Sequence, residues 1–224
     1  MNQTAPTIDA AVPAANAGKP ARVVVRVVDD DPSFRTAIQR LLRSAGFEVS
    51  TYASVAEVLL DAQQTPGCFL LDMDLPDASG LELQRALSHW QDPPPVVFLS
   101  GMSDVPSTAT AMKAGAFDFL AKPVEGSVLT GVIEAALVRD SELRSRRQSW
   151  LQLQARYAQL SDRERDVMRM VVEGVLNRDI AEALDMAERT VKAHRAQVMD
   201  KMGAHTLPDL VRMAERLGRP DYYQ

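Results

Sequence analysis

The chain has 224 residues, 46% of them apolar and only 5% aromatic, and carries a formal net charge of −5. That length suits one large domain or two smaller ones with aliphatic cores, and no run of about eighteen apolar residues marks a membrane-spanning helix. The acidic balance argues against bulk electrostatic binding to nucleic acid and leaves open a local basic face.

Residues 1–21, rich in Ala, Pro and Asn, lack the basic start and long apolar core of a secretion signal and read as a disordered tail. From residue 22 to 137 short apolar runs alternate with amphipathic stretches. "RVVVRVV" reads as a strand, and "PSFRTAIQRLLRSAG" as a helix through Phe34, Ile38, Leu41 and Leu42 that ends at Gly46. A strand "FEVSTY" and a helix opened by Ser54 follow, then "CFLLD" as a strand and "SGLELQRALSHW" as a helix. "PVVFLS", "DVPSTATAMKAG" and "AFDFLA" read as strand, helix and strand, and another helix begins near Glu125. Continuous apolar strands separated by helices predict a five-stranded, doubly wound parallel α/β domain. The single cysteine, Cys68, fits a reducing cytoplasm and an inert place in that core.

Residues 126–159 stay helical but turn polar, which predicts a long helix whose part from 138 to 159 links the α/β domain to the C-terminal helices. Leu143, Trp150, Leu153 and Tyr157 form an apolar stripe there, either a dimer seam or a face packed on a neighbouring domain. Residues 160–218 contain four short helices, and a C-terminal tail covers 219–224. Ser161 and Glu164 make a capping box, Gly174 closes the first helix and Asn177 caps the second. "DMAE" turns into a third helix, from about Arg189 to Met202, in a helix-turn-helix arrangement.

In an open parallel sheet ligands bind beyond the carboxyl ends of the strands. Asp29, Asp30, Asp72, Ser100 and Lys122 all fall at that edge. Asp31 before Pro32 suits a helix cap, and the clustered carboxylates suit a shared divalent cation such as Mg²⁺. A carboxylate beside such an ion can attack a phosphoryl group, with a lysine and a hydroxyl offsetting the charge on its oxygens. "KP" at 122–123 also raises a cis peptide, although trans is favoured by default.

"VVDDD", "LLDMDLPDASGLEL", "VVFLSG" and "GAFDFLAKP", in that order, resemble the receiver domain of bacterial two-component response regulators over residues 22–140. The resemblance implies that a sensor histidine kinase phosphorylates Asp72. It implies that Mg²⁺ is held by Asp30, by Asp29 through water, by Asp72 and by the main chain of Asp74. Ser100 and Lys122 then stabilise the phosphoryl group, and Ser100 with Phe119 forms the conformational switch. Asp74 stands where many relatives carry Arg or Asn.

On the basic helix Val191, Val198 and Met202 share one side, and Arg189, Lys192, Ala193 and Ala196 project roughly opposite. Alanines beside cations let a helix sit deep in a major groove, and Thr190 near its start can bond a phosphate. The plain alternative is an exposed, solvated face. "LSDRERDVMRMVVEGVLNRDIAEAL" with "RTVKAHRAQVMDKM" resembles the LuxR-type DNA-binding domain, so His194 and Arg195 join the implied DNA contacts. Ala187 stands where many relatives have a capping Ser.

The combination is similar to FixJ/NarL-type regulators. It implies a non-enzymatic, cytoplasmic transcription factor with double-stranded promoter DNA, RNA polymerase and the kinase as partners and no membrane association. Phosphorylation would favour a homodimer through the surface of the fourth helix, fifth strand and fifth helix. The rival reading is a Mg²⁺-dependent phosphohydrolase with Asp72 as nucleophile and Asp74 as acid/base; it leaves the second motif set unused.

Overall fold

The computed structural model describes residues 22–61, 65–101 and 105–218. The predicted tails at 1–21 and 219–224 lie outside those residues. The chain divides into two compact units, residues 1–137 and 138–224.

In the first unit β1 (Val24–Val28), β2 (Glu48–Tyr52), β3 (Gly67–Asp72), β4 (Val96–Ser100) and β5 (Asp118–Ala121) form one sheet in the order β2-β1-β3-β4-β5. Every neighbouring pair is parallel. The helices between them are α1 (Pro32–Ser44), α2 (Val55–Asp61), α3 (Gly80–Ser88) and α4 (Val105–Lys113). Period-two alternation divides each inner strand between two cores. Val28, Phe69, Leu71, Val96 and Phe98 join one core with Val58 of α2 and Leu83 of α3. Val25, Val27, Cys68, Leu70, Val97 and Leu99 join the other with Leu42 of α1 and Ile133 of the following helix. Cys68 is fully buried there, as expected of a core residue. Both faces being covered is why these strands read as unbroken apolar runs.

Asp31 caps α1 by accepting from Ser33 N and Phe34 N, with Pro32 in the first turn, as its sequence suggested. The Lys122–Pro123 peptide is cis.

α5 (Gly126–Ala158) is one helix of 33 residues that contains the boundary between the units. In the second unit α6 (Asp162–Val172), α7 (Asn177–Ala183), α8 (Glu188–Met202) and α9 (Leu207–Leu217) pack around Val167, Ile180, Val191, Val198, Met202 and Leu210. Leu153 is buried in this core and Tyr157 packs against it, whereas Leu143 is exposed. For Leu153 and Tyr157, the packing alternative therefore holds. The Ser161–Glu164 capping box forms, and a second, Thr206–Asp209, opens α9. Asn177 does not cap α7. The cap residue is Leu176, without a side-chain bond, because the Asn177 amide oxygen accepts from Arg195 Nη1 at 2.6 Å instead.

Candidate metal centre and nucleic-acid interface

Because all five strands run the same way, their carboxyl ends share one edge. Asp29 and Asp30 follow β1, Asp72 ends β3, Ser100 ends β4, and Lys122 follows β5. Asp29, Asp30 and Asp72 each offer a carboxylate oxygen within 4.8 Å of the others. Asp29 is 1% exposed and Asp72 8%, while Asp30 faces solvent.

Lys122 is the counter-charge. Its Nζ lies 2.5 Å from Asp29 Oδ2 and 3.3 Å from Asp72 Oδ2. Burial pushes the Asp72 carboxyl above its ordinary value and the Asp29 charge adds to this; the Lys122 ammonium and the Met73 N–H oppose it. Burial prevails, so this carboxylate is short of positive charge. Three hard oxygen donors at one point fit Mg²⁺, which takes carboxylates and completes an octahedron with water.

Sequence reasoning passed over two neighbours. The Phe34 ring centroid lies 4.2 Å from Lys122 Nζ, and Arg35 Nη1 donates to the Asp29 carbonyl. Both sit in the first turn of α1, directly after the acidic run, and that position was the available signal.

The backbone after Asp72 is tightly specified. Asp74 and Ser79 form an isolated antiparallel bridge, and Gly80 N donates to Met73 O at 3.0 Å. A Cβ on Gly80 would lie 2.4 Å from the Asp72 carbonyl oxygen, so only glycine fits this return. The Asp74 side chain is exposed. Ser100 is 2% exposed, and its carbonyl accepts from Lys122 N at 2.8 Å. Phe119 is half-buried with its ring 6.3 Å from that of Phe98.

In the second unit α7 and α8 are joined by a turn in which Asp185 takes φ 51°. Val191, Val198 and Met202 are buried; Arg189, Lys192, Ala193 and Ala196 are exposed. Thr190, His194 and Arg195 are half-buried. Lys192 pairs with Glu188 at 3.0 Å along the exposed face. Lys201, another cation of this helix, points into the fold: its Nζ lies 2.6 Å from Glu164 Oε2. The Lys201 hydrogen bond, then the Ser161 N–H, hold the Glu164 carboxyl below its ordinary value.

α8 starts at Ala187 with no side-chain cap, and ends at Gly203 in the left-handed region at φ 67°. Ala187→Ser is therefore expected to stabilise the second unit by about 1 kcal/mol. Urea unfolding of the two proteins checks it, and an unchanged midpoint would count against the cap argument.

Comparison with known proteins agrees with both halves. The model of the response regulator receiver domain matches residues 25–134, and that of the bacterial regulatory proteins of the luxR family matches residues 158–214. Nodulation protein W of Bradyrhizobium diazoefficiens is 40% identical over 88% of this chain and 87% of its own. Transcriptional regulatory protein FixJ of the same organism is 41% identical over 87% of this chain and 95% of its own. The solved structure of response regulator StyR aligns with a TM-score of 0.81 and 41% identity, over 88% of this chain and all of that one. Among the described residues no helix is long and apolar enough to cross a membrane. With a receiver-type acidic edge on a five-stranded parallel sheet and a LuxR-type helical unit after it, the chain belongs to the FixJ-like two-component response regulators.

Proposed function

We propose that Asp72 accepts a phosphoryl group from the phosphohistidine of a sensor kinase, and that this drives dimerisation and promoter binding. A carboxylate oxygen of Asp72 attacks phosphorus, the P–N bond breaks, and the imidazole leaves with its electron pair and takes up a proton. Lys122, 3.3 Å from Asp72 Oδ2, stands ready to meet the charge of the phosphoryl oxygens, and the Ser100 hydroxyl supplies a further donor. Asp29, Asp30 and Asp72, with the main chain of Asp74, would hold Mg²⁺, which supplies further neutralisation of that charge. Ser100 and Phe119 would carry the change outward, Phe119 from its half-buried place beside Phe98.

In the second unit α8 would enter the major groove. Arg189, Lys192, Ala193 and Ala196 face outward, Thr190 and His194 border them, and so does Arg195, one of whose N–H groups is held by Asn177. One short helix reads few bases, so two copies on two half-sites multiply discrimination. RNA polymerase is the partner that such promoter binding would serve, in the cytoplasm.

The convergence of three carboxylates and one lysine carries this reading. DNA binding to fragments of the source genome, with and without acetyl phosphate and Mg²⁺, tests it on wild type and Asp72→Asn. Tighter, dimeric binding in phosphorylated wild type alone is the expected result. Equal binding in all samples would remove the switch, and steady turnover of small phosphate esters would point to a hydrolase instead.

A further inference from the structure

Asp77 lies in the loop between β3 and α3 and has no part in the phosphoryl chemistry. It is exposed, yet both carboxylate oxygens are engaged. Oδ1 accepts from Val55 N at 3.1 Å and Oδ2 from Ala56 N at 2.9 Å. These are first-turn donors of α2, which the helix cannot satisfy internally. The helix also has a local cap: Glu57 N donates to Ser54 Oγ at 3.2 Å, and Glu57 Oε2 accepts from Ala53 N at 2.6 Å. Ser54 thus serves the Glu57 donor locally, while Asp77 serves Val55 and Ala56 through a long-range tie.

On its own side Asp77 belongs to a closed finger. The Asp74–Ser79 bridge and the Gly80 N to Met73 O bond pinch the base of the finger against the acidic edge. Leu75 and Ala78 pack partly onto the core beside it. The pinch sets the distance between the ends of the finger, Leu75 and Ala78 seat it on the core, and two hydrogen bonds near its tip tie it to the start of α2. Asp74, whose main chain is the implied metal ligand, lies at the base. The Ala56 and Val55 N–H groups hold the Asp77 carboxyl below its ordinary value, as hydrogen bonds to the charged form do.

We propose that Asp77 is a positioning residue for the metal centre: by tying the β3–α3 loop to the start of α2, it fixes where Asp74 presents its main chain. This rests on the reading of the acidic edge as a Mg²⁺ site. The test is calorimetric titration of the full-length protein with MgCl₂, on wild type, Asp77→Ala, Asp77→Asn and Ser54→Ala. Asp77→Ala is expected to weaken Mg²⁺ binding about tenfold, the usual scale for losing a group that orients a ligand. Asp77→Asn keeps one acceptor oxygen and should recover part of the loss; Ser54→Ala should lower thermal stability and leave the Mg²⁺ affinity unchanged. Wild-type affinity in Asp77→Ala would overturn the proposal. So would an equal weakening by Ser54→Ala, which would make Asp77 an ordinary helix cap. Wild type that shows no saturable Mg²⁺ binding would overturn the reading of the site itself, and this proposal with it.

Discussion

Lys122→Met is expected to lower the stability of the metal-free protein by about 3 kcal/mol, because it leaves Asp29 and Asp72 buried without their counter-charge. For a domain of this size that is a fall in Tm of about 10 °C. Methionine keeps the aliphatic stem beside Phe34, so the change isolates the ammonium. The same variant should bind Mg²⁺ more tightly than wild type. The ammonium 2.5 Å from Asp29 and a divalent ion compete for the same carboxylates, and removing one leaves them to the other. Added MgCl₂ should therefore raise the Tm of Lys122→Met more than that of wild type and close part of the gap. Thermal scans with and without MgCl₂ check both statements. A gap that Mg²⁺ leaves untouched would mean that the acidic trio does not take a cation.

Lys201→Met is expected to destabilise the second unit by about 2 kcal/mol at neutral pH. Glu164 is 3% exposed, so removing its partner leaves a buried charge; the part-exposed Lys201 keeps the cost below that of a fully buried pair. The loss depends on pH. In wild type the Glu164 carboxyl sits below its ordinary value of 4.5, so the unfolded chain takes up its proton first. That stability is present above pH 4.5 and is lost as pH falls through the lower folded value. Without Lys201 the main cause of the lowering is gone, and the Ser161 N–H is left to oppose burial and hold the carboxyl less far below its ordinary value. The two proteins should therefore converge as pH falls below 4.5. Urea midpoints across that range decide it, and a constant separation would show that Glu164 is not the group concerned.

Much of the architecture was legible because its causes are local. Strands covered on both faces must be apolar throughout, and Asp31–Pro32 and Ser161–Glu164 carry the chemistry of helix starts within one turn of chain. Once the sheet is known to be parallel, strand ends alone bring Asp29, Asp72, Ser100 and Lys122 to one edge. What stayed hidden was decided by contacts distant in sequence. Asn177 is a good cap by local rules, but Arg195, 18 residues away, offers its amide a charged donor. Lys201 looks like one more cation of a basic helix until Glu164, 37 residues away, approaches it. Asp77 reaches the start of α2 across 21 and 22 residues, and nothing near it in the sequence signals that reach.

The hydrogen bond from Arg195 to Asn177 also bears on how α8 would meet a polyanion. With Arg195 and Lys201 turned to partners inside the fold, Arg189 and Lys192 are the outward cations of the helix, and Lys192 already faces Glu188. Each phosphate neutralised on a duplex releases about 0.9 of a condensed counterion. A pair of such helices would then draw little of its affinity from ion release, and binding through them would decline gently as salt rises. That helix face by itself would hold weakly to arbitrary sequence.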